Sequence, residues 1–169
     1  RRRGARHGGG MRLGAVAVLT VLAACEAKRR EPSGIGKWRF TATVARDAQK
    51  VGICSKDTSS TGRAVIWCHT LPPIKVGDRT ATVDLYFDGH ADDGKLIEIQ
   101  LGVRGCREED LEAWLRRGFG PPRETRATRS YWQNSHLWIG ALMPSEPGRC
   151  LVHVLPRSEQ AEIARIQQK

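Results

Sequence analysis

Two neighbouring stretches in the middle of the chain alternate apolar and polar side chains, and this pattern limits the possible fold more than any other feature. Every second side chain is apolar within residues 81–88, and the same alternation returns within residues 97–103. Successive side chains of a β-strand point to opposite faces of a sheet, so the period of two predicts two half-buried strands. Residues 89–94, which contain two glycines and two aspartates, predict the turn of an antiparallel hairpin.

Strand-like patterns also flank this hairpin. Each of the further predicted strands is a short apolar or alternating run bounded by proline, glycine or polar turn residues. These runs are residues 38–44, 64–70, 149–155 and a second hairpin over 129–143 that turns at Asn134 and Ser135. The succession of hairpins with tight connections predicts one antiparallel sheet of about six to seven strands.

Two segments have the features of amphipathic helices instead. Residues 107–117 carry acidic side chains in the first turn, basic ones in the last, and apolar ones along one face. Ser158 is a suitable N-cap for a closing helix that ends at Gln168. Strands and helices in this order predict an α+β fold, with two helices packed on the sheet in a single domain over residues 37–169.

The cysteine content indicates an oxidising compartment. Cys25 is followed by four further cysteines, and an even number of these favours two disulfides. Three pairings are possible; we favour Cys54 with Cys68 on neighbouring strands, and Cys106 with Cys150 joining a strand end to the last strand. The spacings contain no Cys-x-x-Cys clamp, so neither a metal site nor any other cofactor is predicted.

The amino-terminal region has the composition of a targeting segment. A basic start precedes an unbroken apolar run over residues 13–24, and Cys25 follows it. About a dozen apolar residues are too few to cross a membrane, which needs roughly 20, but they suit a secretion signal. We therefore expect Met11 to be the initiation site and residues 1–24 to be removed or disordered. Residues 25–36, which are charged and contain proline and glycine, predict a flexible tether.

The sequence Leu22-Ala23-Ala24-Cys25 resembles the lipobox of bacterial lipoproteins. The resemblance implies that the Cys25 thiol receives a diacylglycerol, that the preceding peptide is cleaved, and that the new amino terminus is acylated, with palmitate as the expected fatty acid. Members retained in the inner membrane usually have Asp after the cysteine, whereas Glu26 stands here, which favours the outer membrane, facing the periplasm. The resemblance covers only the signal and does not assign the domain that follows it.

The net charge argues against a nucleic-acid partner. The whole chain has a formal charge of +10 at neutral pH, but five of its 28 basic residues lie within residues 1–24. Removal of that segment leaves 23 basic against 18 acidic side chains, or +5. A surplus of this size, spread along the chain, is weak support for nucleic-acid binding, and export separates the protein from intracellular nucleic acid.

One candidate binding surface is predicted on the 129–143 hairpin. If Asn134 and Ser135 are the two central residues of its turn, Tyr131 lies opposite Trp138. One face then carries two aromatic, one amide, one imidazole and one guanidinium side chain: Arg129, Tyr131, Gln133, His136 and Trp138. Such a face is suited to stacking on a sugar ring or gripping a peptide. The alternative is that Tyr131 and Trp138 form a cross-strand pair covered by a helix.

Two other constellations are weaker. Residues 88–94 superficially resemble a calcium loop, since oxygen ligands at alternate positions suit that cation. Asp93 replaces the central glycine of the EF-hand pattern and Ile99 occupies the expected acidic position, so a solvated hairpin loop is predicted. Cys68 and His69 are adjacent on a predicted strand and point to opposite faces, which argues against a thiol nucleophile.

These observations favour a non-enzymatic protein of the bacterial cell envelope, held at the membrane by the lipid on Cys25 and acting as a binding or assembly module. Its expected partner is another envelope protein, by analogy with small α+β lipoproteins. A second hypothesis is a module that binds cell-wall glycan or a small ligand through the 129–143 hairpin. A third is an envelope hydrolase, which rests only on four unassigned side chains near one hairpin: Asp84, Asp88, His90 and Asp92.

Overall fold

The computed structural model describes residues 31–168, so the predicted signal, the lipobox with Cys25 and the first part of the tether lie outside the described residues. The strands are β1 (Gly34–Ile35), β2 (Trp38–Arg39), β3 (Ile53–Thr58), β4 (Ala64–His69), β5 (Ile74–Val76), β6 (Arg79–Asp88), β7 (Leu96–Arg104), β8 (Glu124–Arg126), β9 (Arg129–Gln133), β10 (Leu137–Glu146) and β11 (Arg149–Pro156). The helices are α1 (Ala45–Gln49), α2 (Glu108–Phe119) and α3 (Gln160–Gln168). None of these helices, which belong to the described part of the chain, has the length and apolar character needed to cross a membrane.

Nine of the strands form one antiparallel sheet, which confirms the α+β fold class. Eight of them follow the order β3-β4-β6-β7-β11-β10-β9-β8, and β5 pairs with β6. The predicted helices are present as α2 and α3. The predicted counts of six to seven strands and two helices are too low, because β5, β8 and α1 contain only three, three and five residues, too few to produce a recognisable hydrophobic period.

The predicted central hairpin is confirmed by β6 and β7. Val83 lies opposite Leu101, and Leu85 lies opposite Ile99, so their side chains share one side of the sheet, which we call the first face. Helices α1 and α2 cover this face with apolar side chains that belong to the same core cluster: Ala45, Ala48, Leu111 and Leu115. The main hydrophobic core therefore lies between the first face and these two helices.

The opposite side of the sheet, the second face, is only partly covered. Helix α3 places Ile163 and Ile166 against Tyr131, Trp138 and Leu155 at one side of it. Elsewhere the second face carries the polar side chains of β6, β7 and β11, because alternation directs them away from the core. A polar, incompletely covered region of sheet is the result.

The predicted strand over residues 38–44 is wrong. β2 ends at Arg39, and the chain turns there, with the Arg39 N–H donating to the Thr43 hydroxyl at 2.9 Å. Helix α1 then begins at Ala45, whose side chain is fully buried. Trp38 is buried, Phe40 and Val44 are partly buried and Ala42 is exposed, so the run bends away from the core instead of burying one strand face. Seven alternating residues do not distinguish this turn and helix start from a strand.

The described part of the predicted tether, residues 31–36, joins the fold. Gly34 and Ile35 form β1, which pairs with β2 so that Ile35 lies opposite Trp38. Ile35 is only 4% exposed and belongs to the main core cluster. The folded domain therefore begins before residue 37.

The favoured disulfide pairing is confirmed. Cys54 and Cys68 lie directly opposite each other on β3 and β4, and their bond spans 14 residues of chain. Cys106, just after β7, is bonded to Cys150 on β11 across 44 residues. Cys68 and Cys150 are buried within the main core cluster, so both bonds lie at the first face of the sheet.

Candidate functional site

The turn of the β9–β10 hairpin is longer than the predicted two residues. Oδ1 of Asn134 accepts hydrogen bonds from the N–H groups of His136, at 2.8 Å, and Leu137, at 2.7 Å. Gln133 consequently lies opposite Trp138 and Tyr131 lies opposite Gly140, so the predicted opposition of Tyr131 and Trp138 is wrong. The register between β9 and β10 is therefore shifted by two residues from the predicted one. Because two is an even number, every side chain stays on its predicted face of the sheet.

The position of α3 favours the alternative stated for the 129–143 hairpin, in which a helix covers the two aromatic rings. Tyr131 and Trp138 do share a face, with ring centroids 5.6 Å apart, but they are only 5% and 4% exposed. They pack beneath Ile163 and Ile166, because the apolar side of α3 requires an apolar partner on the sheet. The two aromatic rings are therefore core residues under a helix, not an exposed platform.

The three polar residues of that predicted surface do not form a shared site. Oε1 of Gln133 accepts a hydrogen bond from Arg123 at 2.8 Å. His136 is exposed at the turn, and its backbone N–H donates to the side chain of Asn134. Arg129 is partly exposed on β9. Gln133 does line a small cavity of about 230 Å³ together with the edges of Tyr131 and Trp138, whereas Arg129 and His136 do not contribute to it.

The residues that motivated the hydrolase hypothesis have separate partners. Asp88 forms an ion pair with Arg63, with 2.7 Å between the two side chains. Asp92 accepts a side-chain amide N–H from α1 at 3.0 Å, and Nε2 of His90 contacts a backbone carbonyl of β3 at 3.2 Å. Asp84 lies apart from them on the second face, so the four groups do not converge on one site.

The loop that superficially resembles a calcium site instead supports the start of α1. The N–H groups of Ala45 and Arg46 donate to the carbonyl oxygens of Gly94, at 3.1 Å, and Asp92, at 2.8 Å. These bonds satisfy donors that a helix start otherwise leaves open. Among the described residues, no group of three or more His, Cys, Asp or Glu side chains is arranged to hold a metal ion.

A cavity of about 400 Å³ opens on the second face, between the sheet, α3 and the loop that joins β3 to β4. We call it the polar cavity. Side chains from three neighbouring strands, β6, β7 and β11, form its floor: Tyr86, Glu98, Gln100 and His153. Its walls come from Glu159, just before α3, from Glu162 and Arg165 on α3, and from residues 57–61.

The centre of the floor is a buried pair formed by Glu98 and His153. Oε1 of Glu98 lies 2.7 Å from Nδ1 of His153, and each residue is only 6% exposed. Gln100 donates its side-chain amide to the same carboxylate oxygen at 2.9 Å. Because Nδ1 faces the carboxylate, Nε2 is the ring nitrogen of His153 that is left for a ligand.

The register of the sheet brings this cluster together. Gln100 on β7 lies opposite His153 on β11, and Glu98 shares the face of Gln100 because it is two residues away on the same strand. Tyr86 on β6 lies opposite Glu98 on the other side. The cluster therefore depends on the pairing of β7 with β11, two strands that are far apart in the sequence.

Tyr86 and Arg165 complete the polar lining. Burial raises the pKa of the Tyr86 phenol, and the negative charge of Glu98 raises it further, so the hydroxyl stays protonated and can donate. Nε of Arg165 donates to Glu162 at 2.7 Å, and this hydrogen bond raises the pKa of the guanidinium. Nη1 of Arg165 is buried and lacks a hydrogen-bond partner within the described part of the chain, which is unusual for such a donor.

Ion pairs and a hydrogen bond hold the β3–β4 loop against α3 at the rim of the cavity. The Arg63 guanidinium lies 2.8 Å from Glu159 and 2.7 Å from Asp88. The hydrogen bond from Arg63 lowers the pKa of the Asp88 carboxyl. Oγ of Ser60 donates to Glu162 at 3.2 Å. These groups are partly exposed, so they set the position of the rim more than they add to stability.

The described lining of the polar cavity is acidic, although the chain as a whole is basic. Four carboxylates, of Asp57, Glu98, Glu159 and Glu162, face two guanidinium groups, of Arg63 and Arg165. Apolar side chains occupy much of the remaining wall: Val65, Leu142, Leu151, Leu155 and Ile166. This mixture suits an organic molecule that has an apolar part and carries hydrogen-bond donors or a positive charge.

No local pattern in the sequence predicts the polar cavity. Glu98 and Gln100 occupy the polar positions of an alternating strand, where exposure to solvent is the ordinary expectation. The one available signal is His153, which stands between Val152 and Val154 in an otherwise apolar final strand. A polar side chain in such a run needs a buried partner, but the sequence does not say which strand supplies it.

The comparisons with known proteins add no assignment to this geometry. Models of protein families, curated proteins and solved structures were compared with the chain, and none of them matches it. The polar cavity is therefore a candidate site on the basis of its own contacts, burial and charge.

Proposed function

We propose that this chain is a non-enzymatic, lipid-anchored protein of the bacterial cell envelope that binds a small organic ligand in the polar cavity. The lipobox-like sequence that ends at Cys25 supports the anchor, and Glu26 favours the outer membrane, facing the periplasm. The two disulfides are consistent with an oxidising compartment. The membrane is then a partner through the lipid on Cys25.

The observation that carries the binding proposal is the Glu98–His153 pair in the cavity floor. Burial of a carboxylate and an imidazole costs desolvation free energy, and apolar side chains of similar volume fill the same space without that cost. Gln100 adds a third polar group to the same point. Convergent polar side chains beside an apolar wall are typical of a site that orients a ligand.

A binding role accounts for this cluster better than catalysis does. Within the described part of the chain, the hydrogen bond of His153 is to Glu98, and no serine, threonine or cysteine side chain is bonded to its ring. The four cysteines of the domain are all used in disulfides. A histidine–carboxylate pair without an adjacent nucleophile can still hold a ligand by hydrogen bonds and charge.

Ligand capture by three proteins tests the proposal. Leu142→Trp places a larger side chain in the apolar wall of the polar cavity, whereas Lys75→Trp adds the same side chain at an exposed position of β5 outside the cavity. Wild type and both variants are incubated with the small-molecule extract of bacterial envelopes and washed. The retained compounds are then identified and quantified by mass spectrometry.

We expect wild type and Lys75→Trp to retain the same neutral or cationic compound, and Leu142→Trp to retain about tenfold less of it, because the added indole occupies ligand volume. Thermal unfolding of each variant confirms that it is folded under the capture conditions. Equal retention by all three proteins, or no compound above the level of a protein-free control, contradicts the proposal.

A protein partner is the second candidate function, because one edge of the sheet exposes apolar side chains. β3 is an edge strand, Ile53 on it is 58% exposed, and Val51 just before it is 43% exposed. An edge strand has backbone groups available to pair with a further strand. A photoreactive residue in place of Ile53 tests this function in intact envelopes. One enriched cross-linked neighbour supports a partner at β3, and the lack of one counts against it.

A further inference from the structure

A second concave region, which we call the Trp67 recess, lies beside the polar cavity on the second face. It has a volume of about 540 Å³ and is lined mainly by Trp67, His69, Leu71, Pro73, Thr82 and Asp84. In the register of β4 and β6, Trp67 lies opposite Tyr86, which belongs to the floor of the polar cavity. The two regions are thus neighbours, but they share no lining residue.

The wall of the recess is an aromatic platform. Trp67 and His69 are two residues apart on β4, so they share a face, and their ring centroids are 4.6 Å apart with 34° between the planes. Nδ1 of His69 lies 2.9 Å from the Thr70 hydroxyl, a contact that fixes the imidazole ring. Both rings are partly exposed, in contrast to the buried Tyr131 and Trp138.

Hydrogen-bonding groups flank this platform. Asp84 is half-buried on the neighbouring strand, and burial raises the pKa of its carboxyl, while His69 and Trp67 act to lower that pKa. The buried indole N–H of Trp67 interacts with this carboxylate as a side-chain donor, although the contact falls short of full hydrogen-bond geometry. The carboxylate keeps lone pairs that can accept from a ligand hydroxyl group.

We propose that the Trp67 recess binds a sugar ring. The apolar C–H face of a pyranose packs on an indole, and its hydroxyl groups hydrogen-bond to a carboxylate and an imidazole. A cation fits less well, because Asp84 already interacts electrostatically with two basic groups, His69 and Arg149. This site is independent of the polar cavity and of the ligand proposed there.

Two neutral trisaccharides serve as probes, one built of N-acetylglucosamine and one of glucose. NMR follows the tryptophan indole signals during each titration, and calorimetry measures the affinity. Trp67→Leu removes the platform, and Asp84→Asn keeps the shape of the carboxylate but removes its charge. Trp114→Leu is the control, because it removes a partly exposed indole of α2 that lines neither concave region.

We expect at least one probe to shift the Trp67 indole signal in a saturable way, with the affinity lowered about tenfold in Trp67→Leu, severalfold in Asp84→Asn, and unchanged in Trp114→Leu. The proposal is overturned if neither probe shifts that signal at about 10 mM, which corresponds to negligible affinity. It is also overturned if Leu142→Trp abolishes binding while Trp67→Leu does not, because the sugar then occupies the polar cavity. Should Trp67→Leu fail to fold, unchanged affinity in Asp84→Asn overturns it.

Discussion

Oε1 of Glu98 lies 2.7 Å from Nδ1 of His153, and this contact joins β7 to β11 beneath the polar cavity. Both residues are 6% exposed, so neither has water as a ready substitute for its partner. In such a pair, the attraction between the partners is largely offset by the cost of removing both from water. The pair therefore marks a functional site more clearly than it explains stability.

Loss of both partners should destabilise the fold less than the two single losses added together. We predict that Glu98→Leu and His153→Leu each lower the free energy of unfolding by about 3 kcal/mol. The first leaves a buried imidazole unpaired, and the second leaves a buried carboxylate with the Gln100 amide as its remaining partner. The double variant should lose clearly less than the sum of the two. Denaturant unfolding of the four proteins measures the coupling, and additive losses would contradict the account of this pair.

The burial of Trp138 under α3 depends on the absence of a side chain at Gly140. A Cβ atom there would lie 2.4 Å from the nearest ring atom of Trp138. We predict that Gly140→Ala lowers the free energy of unfolding by about 1–3 kcal/mol, because the ring and α3 must move.

Gly118 offers the matched control for this substitution. It lies within α2, and a Cβ atom there would meet nothing within 4 Å. Gly118→Ala should therefore raise the free energy of unfolding by about 0.5–1 kcal/mol, as alanine is the better helix former. If both variants shift stability in the same direction, the proposed packing at Gly140 is incorrect.

Asp84 should make the stability of the domain depend on pH. Burial raises the pKa of its carboxyl in the folded state, so the folded protein favours the protonated form. The ordinary pKa of an aspartate, 3.8, applies to the unfolded chain. The stabilisation that protonated Asp84 contributes is fully present below that pH, and it is lost as the pH rises through the higher pKa of the folded state.

Replacement of Asp84 tests this pH dependence. Asp84→Asn should be more stable than wild type at pH 7, and the difference should shrink below about pH 4, where aspartate is protonated anyway. Asp93→Asn, at an exposed position of the β6–β7 loop, is the control. Thermal unfolding across this pH range gives the comparison, and a difference that does not change with pH argues against a buried carboxylate at this position.

The two disulfides should contribute unequally to stability. In the chain-entropy model, a bond that spans 14 residues stabilises by about 3 kcal/mol and one that spans 44 residues by about 4 kcal/mol. Replacing Cys106 and Cys150 by alanine should therefore cost about 1 kcal/mol more than replacing Cys54 and Cys68. Denaturant unfolding of the two double variants measures this difference, and the reverse order would show that native-state packing outweighs loop entropy.

The sequence predicts best where a pattern is local. The alternation within residues 81–88 and 97–103 gives the β6–β7 hairpin, and the charge distribution of residues 107–117 gives α2. The same rule fails over residues 38–44, because the run is too short to separate a strand from a turn followed by a helix. Cys54 and Cys68 lie on strands predicted to be neighbours, so their pairing could be predicted from the sequence.

The candidate sites are set by contacts between distant segments, which no local pattern contains. Glu98 and His153 meet because β11 pairs with β7, and this order of strands is a property of the whole sheet. The sequence places Tyr131 and Trp138 on one face of the hairpin but leaves open whether a helix covers them, and this is decided by the apolar side of α3. Binding residues of this kind become visible only when the topology is known.

We propose that the domain acts outside the cytoplasm on a lipid anchor, and this compartment would decide which ligands its cavity meets. The intact mass of the unreduced protein, purified in detergent from its native envelope beside a Cys25→Ser variant, tests this most directly. The account predicts a wild-type mass equal to residues 25–169 plus acyl chains and minus four hydrogens, for two disulfides, and no acyl mass on the variant. An unlipidated wild-type chain that retains Met11, or free thiols at the four downstream cysteines, would contradict it.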